Sequence, residues 1–553
     1  MAPKPIPNDN PHHYESDFQQ GQVFLAHNLQ RRLGNRQVQL LAIGGSIGTA
    51  LFVSIGNGLA AGGPGSLLVA FSLYCLVLAC VNNCISEMSV LHPVSGGFIR
   101  LAAKWVDEAL GFMVGWTFFF YEALMIPFEI TAINLLLSYW RDDIPPAAVC
   151  VACIVLYAII NVLAVQLFGE AEFWLSGGKV ILIIILFMFT FVTMVGGNPQ
   201  RDAYGFRYWN HPGAFAEYRS TGNLGRFEGF LSCLWSAAFT IVGPEYISVA
   251  AAETKHPRVV LKKAFKTVYF RFGAFFVLGA LCVGILVPWN DSTLQSNLTG
   301  ESTTGGAAGS PYIIAMANLG VPVLPHVVNA LLIVTVFSAG NTLTYCATRS
   351  IYSLALDGHA PSFIRKTTKN GVPIYAFLCV IPFPFLSFLQ LSNSSSNVLT
   401  WLISLVTAGI LIVYVVICIT YIQFYRACQA QGINRASFPY VGYFQPYCAY
   451  IGLFVISLVL IFYGYHAFDP WNVETFFQNY TMQLVAPILF LGWKLIRRSR
   501  FLKPNEIDLI WERPTVDNYE SQFTNTPPGF WTEMGWIVGI GKGEKEDDEN
   551  LHA

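Results

Sequence analysis

Residues 41–52 read LAIGGSIGTALF, an apolar stretch that is interrupted by Gly44, Gly45 and Gly48. Each glycine weakens a helix interior by about 1 kcal/mol relative to alanine. In the hydrocarbon core of a bilayer, irregular backbone is tolerated only where protein buries it or where it lines a cavity. The stretch therefore predicts a spanning helix that breaks at a functional site. Close packing of small residues against a neighbouring helix is the alternative.

The composition of the whole chain is that of a membrane protein. Of its 553 residues, 54% are hydrophobic and 12% are charged, whereas a soluble domain carries roughly 25% charged residues. The formal net charge of −1 gives no reason to expect nucleic acid as a partner. A run of about 20 apolar residues is long enough to span a bilayer as a helix, so membrane lipid is an expected partner of the chain. Twelve spans are predicted, at 38–60, 66–90, 110–138, 146–167, 173–196, 228–251, 268–288, 323–348, 373–391, 398–425, 447–468 and 476–496.

The spans define a transporter-like domain at 37–497 between an N-terminal tail at 1–36 and a C-terminal tail at 498–553. Lysines and arginines cluster in the loops after the sixth and eighth spans and behind the last span. By the positive-inside rule, this pattern predicts that both termini are cytoplasmic. Three Asn-x-Ser/Thr acceptors fall on the predicted outer side and are candidates for glycosylation: Asn290, Asn297 and Asn393.

Ionisable residues inside the predicted spans are costly and indicate functional positions. Glu129 lies in the third span, Lys179 in the fifth and Glu245 in the sixth. Glu122 lies seven residues before Glu129 and therefore shares its helix face to within about 20°. These residues are candidates for handling substrate or ions, and paired structural ions are the alternative.

The sixth span is also interrupted, at Val242-Gly243-Pro244, because proline lacks an amide hydrogen and clashes with the preceding turn. Breaks in the first and sixth spans predict an inverted repeat of five plus five helices. A half-helix that starts at a break offers free amides to a carboxylate. A half-helix that ends there offers carbonyl groups to an ammonium group. The two breaks together therefore predict a site for a molecule that resembles an amino acid.

Motifs for chemistry or nucleotide hydrolysis are not found in the sequence. It contains no HExxH and no GxxxxGK[ST], the patterns of zinc peptidases and phosphate-binding loops. The letters GGSIG at 44–48 lie within an apolar span and not at a strand-to-helix turn, so they are not read as a nucleophile elbow. Cys150 and Cys153 form a CxxC at the start of a span without a second pair. The sequence therefore predicts no enzyme, no cofactor and no metal site.

Motifs in several separate spans carry a family resemblance. They include IGGSIGTALFVSIGNGL, ISEMSVLHPVSGGFIRLAAKWVDEALGF, PFEITAINLLLSYW, GEAEFWLSGGKVI and SAGNTLTYCATRSIYSLALDGHAPSFI. Over about residues 28–510, the chain resembles the fungal amino-acid permeases of the amino acid–polyamine–organocation superfamily, particularly the subgroup linked to carnitine and polyamine uptake. The resemblance implies an all-α, LeuT-like fold with two inverted five-helix repeats plus two extra helices. It also implies proton-coupled import across the plasma membrane.

The resemblance further implies roles for individual residues. The first break is expected to face the substrate carboxylate, and the carbonyl groups of the second are expected to face its amine. The implied substrate-binding residues are Ser46, Ile47, Gly48, Thr49, Ala50, Glu129, Phe239, Thr240, Ile241, Val242 and Gly243. The residues expected to take part in proton coupling are Lys179, which stands where sodium-driven relatives bind sodium, together with Glu129, Glu245, Ser338 and Asn341.

Two residues depart from the family pattern. Ala50 stands where glycine is usual, and Pro244 stands where threonine is usual before Glu245. Both positions are expected to contact the head group of an amino acid, so the changes argue against ordinary broad amino-acid transport. They are compatible with a quaternary ammonium zwitterion such as carnitine, whose cation favours aromatic faces. We expect a plasma-membrane importer of amino acids, carnitine or polyamines. The alternative is a nutrient sensor of the same fold that acts on cytoplasmic partners through its tails.

Overall fold

The computed structural model describes residues 31, 33–141, 143–163, 165–299, 310–368, 370–391, 395–468, 470–523 and 527–537. Over these residues the chain is almost entirely helical, and the only β-structure in the same ranges is two isolated bridges. This confirms the all-α class. The α-helices are α1 (Asn35–Gly44), α2 (Ile55–Leu91), α3 (Phe98–Trp105), α4 (Glu108–Leu137), α5 (Pro146–Leu163), α6 (Val165–Met194), α7 (Gly222–Thr240), α8 (Pro244–Val249), α9 (Pro257–Arg271), α10 (Leu278–Leu286), α11 (Ser292–Thr299), α12 (Pro311–Asn318), α13 (Leu324–Leu356), α14 (Ile374–Val380), α15 (Ser395–Ala430), α16 (Tyr447–Phe462), α17 (Val473–Arg497), α18 (Arg513–Ser521) and α19 (Phe530–Ile537).

Nine segments of the described chain are long and apolar enough to cross a membrane, judged by length and composition. They are Ala50–Leu91, Glu108–Leu137, Phe168–Met194, Gly222–Glu253, Pro257–Leu286, Leu324–Leu356, Ile374–Leu391, Trp401–Ala430 and Tyr447–Ala467. A shorter apolar helix at Pro146–Val162 corresponds to the predicted fourth span. The chain is therefore a multi-pass membrane protein.

The segment Ala50–Leu91 covers the second half of the predicted first span and the whole of the second. The connection between the two is a kink rather than a loop. Gly63 has φ 77° and ψ 170°, and Pro64 follows it inside α2. A positive φ is readily adopted only by glycine, so the GGPG motif turns the chain within a single run of helix.

Helix α4 lies at the centre of the molecule and packs most extensively against α13 and α15. Its start is fixed by Asp107, whose side chain accepts a hydrogen bond of 2.8 Å from the amide of Ala109. An aspartate at this position satisfies an amide that has no partner within the helix. The same carboxylate also accepts hydrogen bonds from Lys494 and Ser499 at the end of α17. These bonds anchor the start of α4 to the C-terminal end of α17.

The C-terminal segment folds back onto the start of α1. The Asn35 side chain donates to the carbonyl of Pro528 (3.3 Å), and the amide of Arg36 donates to the Glu533 carboxylate (3.0 Å). Arg258, at the start of α9, pairs with Asp517 and Glu520 of α18. We refer to the end of the molecule that carries these contacts as the tail side.

The predicted glycosylation sites differ in their surroundings. Asn290 is exposed, Asn297 lies in α11, and Asn393 lies outside the described residues. A fourth acceptor sequence, at Asn479, is buried, and its amide donates to the carbonyl of Thr475. Asn290 is thus the acceptor that is exposed within the described residues.

Candidate functional site

The first break is present where the glycines predict it. Helix α1 ends at Gly44, residues 45–48 form turns and bends, and the helix resumes through a π-helical turn at Ala50–Ser54. Ser46, Ile47 and Thr49 are buried. The predicted carboxylate-facing residues therefore lie inside the protein, in non-helical or irregularly helical backbone.

The glycines of the break permit side chains from three other helices to approach the backbone. A Cβ atom on Gly44 would lie 2.1 Å from Oε1 of Glu172, and one on Gly48 would lie 2.7 Å from Oε1 of Glu129. A Cβ atom on Gly45 would lie 2.8 Å from the ring of Tyr246. Gly45 has φ −74°, which any residue adopts. At Gly45 the requirement for glycine is therefore close approach rather than backbone conformation.

Lys179 completes the end of α1. Its fully buried ammonium group donates to the carbonyl of Gly44, one of the carbonyl groups left unpaired where a helix ends. Glu172 and Glu129 are acidic groups that interact with it electrostatically. The lysine predicted from the fifth span therefore holds the first break from the side of α6.

Glu172 is absent from the residues predicted from the sequence, yet it joins α6 to α13. Its Oε1 accepts hydrogen bonds of 2.7 Å from Ser176 and from Ser338, and its Oε2 accepts one of 3.4 Å from Asn341. It is 1% exposed. The signal for it was the spacing of Glu172, Ser176 and Lys179 at i, i+4 and i+7, which places all three on one helix face.

Glu129 binds the other side of the first break. The hydroxyl of Thr49 donates to its Oε2 at 2.6 Å, and both residues are buried. Glu129 thus contacts Thr49 directly and lies against Gly48. The structure brings together these three residues, each of which was predicted to bind substrate.

The second break separates α7 from α8. Ile241 is extended (φ −96°, ψ 99°), and Gly243 has φ 142°, in a region that favours glycine. Pro244 is the first residue of α8, where the amide of any residue would lack a helical partner. The missing amide hydrogen of Pro244 was expected to alter recognition of the head group. At the first position of α8 its absence removes no helical hydrogen bond, so it costs the helix little stability.

Glu245 caps this break from within α8. Its Oε1 accepts a hydrogen bond of 3.0 Å from the amide of Gly243, and its Oε2 accepts one of 3.0 Å from the hydroxyl of Tyr414. Glu245 is fully buried. The carboxylate predicted to take part in coupling thus stabilises the irregular backbone between the two half-helices.

Aromatic side chains lie beside both breaks. Phe239 is 6% exposed, and its ring packs edge-on against Phe128 with centroids 5.5 Å apart. The hydroxyl groups of Tyr246 and Tyr121 lie 3.3 Å apart. Because the Tyr246 ring lies against Gly45, this tyrosine pair, which the sequence did not single out, lies directly beside the first break.

One polar group next to the second break has no partner within the described residues. The hydroxyl of Thr240, the last residue of α7, is buried and makes no hydrogen bond there. Val242 is also buried. A buried hydroxyl without a partner is costly, so Thr240 is available to a ligand bound at the break.

Replacing Gly44 with alanine tests the close approach. The new methyl group would displace Glu172, whose carboxylate is held by Ser176 and Ser338. We expect about 1–3 kcal/mol of lost stability from overpacking, together with loss of substrate binding, measured as thermal stabilisation by substrate. Gly177→Ala is the matched control, because nothing lies within 4 Å of a Cβ atom at Gly177. Equal behaviour of the two variants would contradict the assigned role.

Comparisons with known proteins identify the family. The "Amino acid permease" family model matches residues 37–506. "General amino acid permease AGP2" of Saccharomyces cerevisiae is 45% identical over 502 residues, covering 89% of this chain and 84% of the relative. "Dicarboxylic amino acid permease" of the same yeast is 35% identical (89% and 82% covered), and "Proline-specific permease" of Emericella nidulans is 35% identical (92% of each chain).

A solved structure supports the fold. The crystal structure of the Eremococcus coleocola manganese transporter in complex with an aromatic bis-isothiourea substituted compound matches with a TM-score of 0.51 and 11% identity. The match covers 88% of this chain and 95% of the other. At this identity the match concerns the fold alone. The family model and the relatives show that the chain belongs to the amino acid permease family.

Proposed function

We propose that the chain is a plasma-membrane transporter that imports amino acids or related amines and zwitterions, including carnitine and polyamines, together with protons. The observation that carries the proposal is the meeting of two interrupted helices, where Gly45 of the first break lies against Tyr246, next to the second. In transporters, substrate sites lie at such breaks. Alternating access would expose this site first to one side of the membrane and then to the other.

The proposed architecture has twelve spans, with two inverted repeats of five helices plus two extra helices. The breaks at residues 45–48 and 241–243 support this arrangement because they fall in the first and sixth predicted spans. Both termini are proposed to be cytoplasmic. The contacts of Asn35 with Pro528 and of Arg36 with Glu533 support placing the two ends of the chain on one side.

Recognition of the substrate is proposed to rest largely on backbone. The residues after Gly45 would bind a carboxylate, and the carbonyl groups of Ile241, Val242 and Gly243 would bind an amine. Thr240 supplies a buried hydroxyl without a partner among the described residues. Phe239, packed against Phe128, would supply an aromatic face for a quaternary ammonium group.

Proton coupling is proposed to involve the buried ionisable groups that hold the breaks. Lys179 binds the carbonyl of Gly44, and Glu129 binds Thr49. Ser338 and Asn341 connect α13 to the same region through Glu172. Glu245 caps the second break. Movement of either half-helix would therefore change the surroundings of an ionisable group. Because those surroundings set its pKa, the protonation state would depend on the conformation.

Uptake into liposomes tests the proposed function. The purified protein would be reconstituted and supplied with labelled carnitine, spermidine and a panel of amino acids, with and without an inward proton gradient. Accumulation that depends on the gradient is the expected result and identifies the substrate. Saturable binding without accumulation, under conditions where a known permease accumulates substrate, would reject the importer.

A nutrient sensor of the same fold is the second candidate. It is favoured by the contacts of the C-terminal segment with α1, the half-helix that ends at the first break. A change at the break would reach Pro528 and Glu533 directly through α1. Partners on the cytoplasmic side could then read the position of the segment.

Deleting residues 515–553 separates the two candidates. The ion pairs that this removes between Arg258 and α18 are partly exposed, and such pairs contribute about 0–1 kcal/mol. For the importer we expect uptake within about fivefold of the full chain. Deleting only residues 538–553 is the control, because it removes no described contact. Preserved uptake with loss of a transcriptional response to substrate would favour the sensor.

A further inference from the structure

Glu122 is a buried acid that the proposed site does not use. It lies in α4 and is 0% exposed, and neither of its carboxyl oxygens has a hydrogen-bond partner within the described residues. An ionised carboxylate in such surroundings would be very costly. The position therefore requires either a neutral acid or a cation.

Glu245 is the acidic group that interacts electrostatically with Glu122. The two acids differ in what surrounds them, because Glu245 accepts hydrogen bonds from Gly243 and Tyr414. It also interacts with Arg271, which is 6% exposed and whose side-chain nitrogens make no hydrogen bond in the described chain. Two adjacent buried carboxylates cannot both be ionised cheaply. The hydrogen bonds from Gly243 and Tyr414 and the positive charge of Arg271 favour ionisation of Glu245. Glu122 is then the acid of the pair that is protonated.

The other titratable groups around this pair are neutral side chains from five helices. Tyr121 and Tyr246 interact with both acids, Tyr74 and Tyr414 interact with Glu245, and Cys346 interacts with both acids. Among the described residues, Arg271 is thus the cation that faces the pair, and it does so through Glu245. This arrangement contains one positive group for two carboxyl groups, so one proton completes the charge balance.

Glu122 lies on the tail side of the proposed substrate site. Trp105, just before α4, donates to the carbonyl of Asp508 in the C-terminal segment, so α4 begins on the tail side and reaches Glu122 before Glu129. The seven residues between the two acids correspond to about 10 Å along the helix. Tyr246 of the tyrosine pair lies against the first break, and both Tyr121 and Tyr246 interact electrostatically with Glu122. An opening of the tail side that released substrate would therefore also admit water to Glu122.

We propose that Glu122 carries the co-transported proton and releases it on the tail side. This inference rests on the proposed importer. When the tail side opens, the O–H bond of the Glu122 carboxylic acid breaks, and the proton passes to entering water. The carboxylate that remains takes up a proton from the opposite side before the next cycle. One proton thus crosses for each loading and release, and no other reactant is needed.

The test is proton movement during uptake by the full chain in liposomes. A pH-sensitive dye inside the vesicles reports protons, and a labelled substrate of the wild-type protein reports uptake. We expect Glu122→Gln, which resembles the protonated acid, to exchange labelled for unlabelled substrate at near the wild-type rate. It is expected to move at least tenfold fewer protons and to lose accumulation driven by the proton gradient. Met125→Leu, a buried apolar change on the same helix, is the control and should behave as wild type.

The outcomes distinguish the two proposals. Gradient-driven uptake by wild type with unchanged proton movement in Glu122→Gln would overturn the role of Glu122 and leave the importer intact. Absence of gradient-driven uptake in wild type would overturn both. Loss of uptake of spermidine and lysine alone, with proton movement intact for a neutral substrate, would assign Glu122 to a substrate amine and reject the proton role.

A second variant keeps the test decisive if Glu122→Gln does not fold. Glu122→Asp retains a titratable group in a shortened side chain. We expect it to move protons with uptake, but with a shifted dependence of uptake on internal pH. A wild-type pH profile in this variant would contradict release from Glu122.

Discussion

Replacing Lys179 with methionine is expected to reduce gradient-driven uptake by about 100-fold or more. The buried ammonium group of Lys179 binds the carbonyl of Gly44 and is the cation next to Glu172 and Glu129. Its removal leaves two buried carboxyl groups without their cation and the carbonyl of Gly44 without its donor. An uncompensated buried charge costs about 3–5 kcal/mol, and each 1.4 kcal/mol corresponds to about a tenfold change.

The measurement is uptake of labelled substrate in liposomes at equal amounts of folded protein. Lys104→Met is a matched control, because Lys104 is exposed at the end of α3. Proton-coupled uptake that survived in Lys179→Met would rule out a coupling role for this lysine. Loss of coupling with intact substrate exchange would instead separate coupling from binding.

Replacing Arg349 with methionine is expected to lower the free energy of unfolding by about 3–5 kcal/mol. Nε of Arg349 lies 2.9 Å from Oε1 of Glu253, and the side chains are 2% and 0% exposed. The guanidinium group also lies 3.9 Å above the ring of Tyr345. The amide of Leu33 donates to the carbonyl of Glu253 at 2.8 Å. The ion pair therefore connects α13 to the backbone where the chain enters α1.

Chemical denaturation in detergent micelles measures this loss. The double variant Arg349→Met/Glu253→Gln serves as the control, because it removes the carboxylate that the single variant leaves buried and unpaired. We expect it to recover more than half of the lost stability. A single variant as stable as the wild type would show that the pair does not hold this part of the molecule together.

Helix positions and breaks were predictable because they depend on local sequence. Apolar runs must be helical in a bilayer. Gly243 followed by Pro244 interrupts a helix regardless of how the other helices pack. The limits of single spans were less predictable. The first and second predicted spans share one helical run through Gly63 and Pro64. The predicted ninth span consists of α14 and a 3₁₀ segment at Phe383–Leu391, on either side of Pro382.

The partners of the buried charges were not predictable from local sequence. Glu172 falls one residue before the predicted fifth span, so it resembled a charge at the membrane surface. Its acceptance of hydrogen bonds from Ser338 and Asn341 depends on how α6 and α13 pack. Those residues are more than 150 positions apart in the chain, and no periodicity relates them.

The sequence by itself determined the class of the protein, the positions of its two breaks and the candidate residues Glu129, Lys179 and Glu245. Hydrophobicity and the conformational limits of glycine and proline act over a few residues, so they can be read along the chain. Only the tertiary structure decided what each charge does. Glu245 caps a break and Lys179 binds another, whereas Glu122 has no partner in the described chain. The energy of a buried charge depends on the groups packed around it, and those groups come from helices far apart in sequence.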